Sequence, residues 1–162
     1  MTPHGLARVV FASASLLFAS CAVPDGVVSD QYETRLEAEE KGAFARGWLP
    51  EEMPASAADI REVHNVDSNE MWIGFSYSGS DERAFLKGCT PTSTFGFPDS
   101  RRTRRNAPWW PDDLLSDAPH PDGAGGHEVY ACEAMRHAGN ALPAGAVVLL
   151  ARRKIYYWVS KR

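Results

Sequence analysis

The sequence predicts an α+β fold: an antiparallel sheet of four to five strands, short helices on one face, and a long Pro/Trp-containing loop across it. Three observations predict it. Apolar residues alternate in short runs, most clearly at Met71, Ile73, Phe75 and Tyr77, and at Ile155, Tyr157 and Val159. The helical patterns are short and soon stopped by Gly42, Gly88 or the pair Pro50 and Pro54. Residues 90–127 carry neither periodicity, and they hold the basic run Arg101-Arg102-Thr103-Arg104-Arg105 and the motif Pro108-Trp109-Trp110-Pro111.

The elements follow in chain order. Residues 22–30 read as a polar tether, broken by Pro24, Asp25 and Gly26. Thr34-Arg35-Leu36-Glu37 fits a capping box, which predicts a two-turn helix over residues 35–41 that stops at Gly42. Residues 43–46 make a second short turn, and Trp48, Leu49 and Met53 tuck onto the core. One helical turn is expected at Ser56–Asp59. Strands are then expected at Ile60–Val66 and Glu70–Ser78, joined through Asp67-Ser68-Asn69 as a hairpin. A short helix at Asp81–Lys87 takes Ser80 or Asp81 as its cap. Asp112–Leu115 is a candidate helical turn. Three further strands are expected at Glu128–Ala134, Ala146–Ala151 and Lys154–Ser160, the last two forming a terminal hairpin.

The first 21 residues speak to location. Arg8 precedes twelve apolar or small residues without charge, and then comes Cys21. Such a run is too short to span a bilayer, which needs about 20 residues. It reads as a secretion signal, residues 1–20. Leu17-Phe18-Ala19-Ser20-Cys21 resembles a lipobox, which implies diacylglyceryl modification of Cys21 and acyl chains of the palmitate class. Several chains together anchor a protein stably, at about 0.8 kcal/mol per buried methylene. A plain secretory signal cleaved near Ala19 is the alternative. Ala22 rather than Asp after the cysteine points to the periplasmic face of the outer membrane if the cell has two membranes. The rest then divides into a tether, 21–30, and a single α+β domain, 31–162.

Removing residues 1–20 takes away one cation, Arg8, from the 17 Lys and Arg, and leaves a net charge of about −5 against 21 Asp and Glu. That balance disfavours nucleic acid, whose phosphates need clustered positive charge. With Cys21 committed to lipid, Cys89 and Cys132 remain. In an oxidising compartment an even pair is most simply a disulfide. Two buried free thiols, or a metal site with His127 or His137, compete with it. Neither CxxC nor HxxxH is present, so no metal is expected. No cofactor motif appears either.

A long ordered pattern runs through Tyr32, Glu37-Ala38, Gly42, Arg46-Gly47-Trp48-Leu49-Pro50, Met53-Pro54, Asp59-Ile60-Arg61-Glu62, His64-Asn65, Asp67-Ser68-Asn69-Glu70, Trp72 and Phe75. It resembles a family of small bacterial envelope proteins and lipoproteins with a "YbbD head" domain. Pro108-Trp109-Trp110-Pro111 and Tyr156-Tyr157-Trp158 are similar to that family as well, so the resemblance is expected over most of residues 30–160. It brings no catalytic residues with it.

Two function classes follow. The first is a lipid-anchored envelope protein with a binding or structural role. It would use Arg101, Arg102, Arg104, Arg105, Trp109 and Trp110 to contact an envelope protein or an anionic envelope component. The second is an envelope-acting hydrolase or transferase built on Glu62 and His64. These two share strand parity and would project from one face about 7 Å apart. In a structural reading Glu62 and His64 only hydrogen-bond at a strand edge, the arginines are a solvated run, and the tryptophans plug a groove of their own domain.

Overall fold

Strand pairing organises this chain. The computed structural model describes residues 26–79, 81–93, 96–118, 128–133, 135–149 and 152–160. Its strands are β1 (Val27–Thr34), β2 (Ala58–Asn65), β3 (Met71–Ser76), β4 (Cys89–Pro91), β5 (Glu128–Cys132), β6 (Arg136–His137), β7 (Asn140–Ala141), β8 (Ala144–Leu149) and β9 (Lys154–Val159). The helices are α1 (Arg35–Glu40), α2 (Glu82–Phe85) and α3 (Ser100–Asn106). Seven strands form one sheet in the order β1-β2-β3-β9-β8-β5-β4, and every neighbouring pair is antiparallel. Strands β6 and β7 make a separate ribbon.

Alternation divides the sheet's side chains between two cores. On the first face lie Ile60, Met71, Ile73, Phe75, Ala146, Val148, Ile155, Tyr157 and Val159. Ala38 of α1, Phe85 of α2, and Ala43, Leu49 and Met53 of the connection between α1 and β2 cover them. The Thr34 hydroxyl caps α1 by accepting from the Glu37 N–H at 3.2 Å, and Glu37 Oε2 accepts from the Glu33 N–H at 2.6 Å. Asn65 Oδ1 accepts from the N–H groups of Asp67 and Ser68, and Asn69 takes a φ of 56°, so the β2–β3 connection closes as its residues suggested.

The second face carries Val63, Trp72, Val147 and Trp158, buried beneath Ala107, Trp110, Leu114 and Leu115. Residues 96–118 therefore form a cover over that face. Trp72 Nε1–H donates to Thr103 Oγ1 at 2.9 Å, and Trp110 Nε1–H donates to the Leu114 carbonyl at 3.0 Å. With both faces covered, β3 is buried at five consecutive positions.

Several expectations are corrected. The protein is mostly β, and its sheet has seven strands where four to five were expected. Strand β1 takes in residues 27–30, assigned above to the tether. Asp30 and Gln31 are poor strand formers, and pairing along β2 from Val27↔Asn65 to Thr34↔Ala58 supplies what propensity does not. Ala58 and Asp59 open β2 and make no helical turn. Short helices do cover the first face, but the Pro/Trp segment covers the opposite one and contains a helix of its own, α3. Its sequence hides it: Thr103 is its one buried residue, so it has no apolar stripe. Arginine favours helix, and Asp99 caps α3 by accepting from the Arg102 N–H at 2.8 Å.

Candidate functional site

Strand β2 places Ile60, Glu62 and His64 on the first face, next to one another along its pleat. The side chains of Glu62 and His64 turn toward each other, with His64 Nδ1 2.5 Å from Glu62 Oε1. Glu62 is 0% exposed and His64 2%. The loop after α1 closes over them. Gly42 and Gly47 take φ values of 74° and 78°, which a side chain would disfavour, and the path between them delivers Trp48 onto His64. The two rings stack with centroids 3.5 Å apart. Glu62 Oε2 is buried with no hydrogen-bond partner among the described residues. Burial pushes the Glu62 carboxyl above its ordinary value, against the pull of the His64 hydrogen bond and charge.

Acid–base chemistry needs such a pair to reach a substrate. Neither residue lines either of two open grooves found among the described residues. Glu70 does not join them; its carboxylate lies at the far end of the β2–β3 hairpin and accepts two 2.8 Å hydrogen bonds from Arg102. The strand-edge picture of Glu62 and His64 is also corrected, since β2 lies between β1 and β3 and the pair sits in the core.

The arginines of α3 separate by partner. Arg104 bonds Asp112 and Asp117, both at 3.0 Å, which raises its own pKa and lowers that of Asp117. Arg101, Arg102 and Arg105 line a basin of about 490 Å³ with Asn65, Asp67, Ser68 and Glu70 from the hairpin. Arg101 makes no ion pair among the described residues. The two tryptophans separate as well. Trp110 is buried in the second core, edge-on to Tyr156 and Trp158. Trp109 is half-buried and leans on Gly74, where an added Cβ would come within 2.8 Å of its Cζ3.

Gly74 opens a second groove that the sequence analysis missed. One cross-strand row runs Gln31, Arg61, Gly74, Tyr156 over β1, β2, β3 and β9. With no side chain at its centre the row forms a floor, and Trp109 forms one wall. The groove measures about 610 Å³, and Glu33, Asp59 and Lys154 also line it. A glycine in an alternating strand, at the parity of Trp72, was the available signal.

Cys89 and Cys132 face each other across β4 and β5 and are disulfide-bonded, with Cα atoms 4.1 Å apart. His137 is engaged elsewhere: Nδ1–H donates to the Gly47 carbonyl at 3.0 Å, and the Tyr157 hydroxyl donates to Nε2 at 2.7 Å. No group of three or more His, Cys, Asp or Glu among the described residues is placed to hold a metal. No helix among them is long and apolar enough to cross a membrane. Cys21, His127 and the signal over residues 1–20 lie outside the described residues.

The buried Glu62–His64 pair, the loop that seals it and the three strands around it form one contiguous stretch, and that stretch decides the comparison. Residues 26–76 match the family model of the YbbD head domain. No curated protein and no solved structure matches the chain. The YbbD head match begins just before β1 and ends with β3. It is shorter than the 30–160 span expected above. It includes Trp48, Glu62, His64 and Gly74, while α3, Trp109, the disulfide and β9 lie beyond it.

Proposed function

We propose that this protein is a binding protein of the bacterial envelope, held to a membrane through lipid on Cys21, and that the basin beside α3 takes a phosphate-bearing envelope component. Its place is the periplasmic face of the outer membrane where the cell has two membranes. The observation that carries the reading is the convergence of Arg101, Arg102 and Arg105 on one open basin. Guanidinium groups suit phosphate because they donate several hydrogen bonds in a fixed plane. Arg104 is a lesser contributor, because it is not among the residues that line the basin and bonds Asp112 and Asp117 instead, whereas Glu70 holds Arg102 within it.

The test uses the Cys21→Ser chain, which carries no lipid anchor of its own, and two sources of the same chemistry. Zwitterionic phosphatidylcholine vesicles are compared with vesicles doped with phosphatidylglycerol or with lipopolysaccharide. Binding should follow one dopant and weaken in high salt. Replacing Arg101, Arg102 and Arg105 with Ala should abolish the gain, whereas Arg104→Ala should leave most of it. Equal capture by all three vesicle types would sink the phosphate assignment. Membrane attachment is tested separately: Cys21→Ser should end incorporation of a fatty-acid analogue, and recovery in inner-membrane fractions would count against the outer-membrane placement.

A further inference from the structure

The Gly74 groove is lined by three carboxylates and two cations; Glu37 is paired with Lys41, and the other four, Glu33, Asp59, Arg61 and Lys154, do not pair with one another. No ion pair among the described residues involves Glu33, Asp59, Arg61 or Lys154. Among the described residues Asp59 accepts one hydrogen bond, from Ser76 Oγ at 3.3 Å, and the Glu33 carboxylate accepts none. Opposite charges around one groove ordinarily find each other. Here the strands hold them apart: Glu33 stands on β1, Asp59 and Arg61 on β2, and Lys154 on β9. Donors and acceptors are therefore presented side by side around a floor whose centre, Gly74, carries no side chain.

The wall above that floor is aromatic. Trp109 is half-buried, with its six-membered ring edge over Gly74, and Tyr156 stands beside it in the same cross-strand row as Gly74.

The lining narrows the ligand chemistry, and the aromatic wall favours a ring with an apolar face over a small zwitterion. An anion would meet Glu33 and Asp59, and a cation would meet Arg61 and Lys154. A wholly apolar ligand would leave all four without partners and desolvated. A pyranose ring avoids each conflict. Its hydroxyls both donate and accept, so they satisfy carboxylates and cationic groups together. Its C–H face is apolar and weakly positive, which suits the negative face of an indole. We infer that the groove binds a neutral saccharide, with one pyranose ring packed against Trp109 and its hydroxyls shared among Glu33, Asp59, Arg61 and Lys154. The site shares no residue with the arginine basin, so either can fail without the other.

Titration calorimetry on the full-length chain tests this. The neutral probes are a hexamer of β-1,4-linked N-acetylglucosamine and maltohexaose, and the charged probe is a heparin-derived hexasaccharide. At least one neutral probe should bind, with an affinity insensitive to salt. Glu33→Ala and Arg61→Ala change exposed side chains, and each should weaken binding about tenfold by removing a charge-assisted hydrogen bond. Neither should move the thermal midpoint. Trp109→Ala should weaken binding more, and Trp109→Phe should restore part of it. The inference fails if neither neutral probe binds, or if Glu33→Ala and Arg61→Ala leave the affinity unchanged. Preferential binding of the heparin fragment, lost in high salt, would likewise overturn it.

Discussion

Trp48 and His64 lie face to face, ring centroids 3.5 Å apart and planes 10° from parallel. The tryptophan comes from the loop after α1 and the histidine from β2, next to the edge strand β1, with Glu62 bonded to the same imidazole. The stack thus closes a buried polar pair beneath an aromatic lid.

Trp48→Ala should therefore cost about 2–3 kcal/mol, less than a fully buried tryptophan, because Trp48 is half-buried. Hydrogen exchange at the β2 amides should rise in parallel. Unchanged urea midpoints would show that the lid contributes nothing.

Burial raises the Glu62 carboxyl above its ordinary 4.5. As pH rises the unfolded chain releases this proton first, so the folded chain holds more protons. Its contribution to stability is present below pH 4.5 and is lost as pH rises through the raised folded value. Glu62→Gln cannot titrate and should flatten that part of the profile. Urea melts of both proteins across the window check the difference in slope.

His137 should behave in the opposite sense. Burial holds it below its ordinary 6.5, as a neutral ring that donates to Gly47 and accepts from Tyr157. Below pH 6.5 the unfolded chain binds a proton that the folded chain resists, so stability falls as pH drops from there toward the lowered folded value. His137→Gln should remove this acid-side loss. Tyr157→Phe strips Nε2 of its donor and should cost about 1–3 kcal/mol at neutral pH. Thermal melts of wild type and His137→Gln with the same acid slope would refute the assignment.

The Cys89–Cys132 bond spans 43 residues and ties the three-residue edge strand β4 to β5. Replacing both cysteines with Ser should lower stability by roughly 4 kcal/mol in the loop-entropy view. Proteolysis should then cut first within residues 86–93, because the freed edge keeps few other contacts. A double variant that melts with wild type would show that the bond constrains little.

How much of this was legible beforehand depends on the range of the signal. The α1 cap, the β2–β3 turn and the two faces of β9 came through intact, because capping, turn chemistry and alternation act within a few residues. The parity argument put Glu62 and His64 on one face, as found. It could not say that Trp48, fourteen positions upstream of Glu62, would seal that face. Nor could it divide the arginines of α3, since the partners of Arg102 and Arg104 are Glu70 from the hairpin and Asp112 and Asp117 from the next turn.

The sequence alone determined the α1 cap, the β2–β3 and β8–β9 hairpins and the pair Cys89 and Cys132 as candidates for a bond. Tertiary structure decided which side of the sheet each tryptophan covers, which charges neutralise one another, and that Gly74 becomes the floor of a groove. Local elements depend on backbone preferences and neighbouring side chains, which a reader of the chain can see. A groove exists where strands distant in sequence place a missing side chain beside a tryptophan, and only their packing brings those positions together.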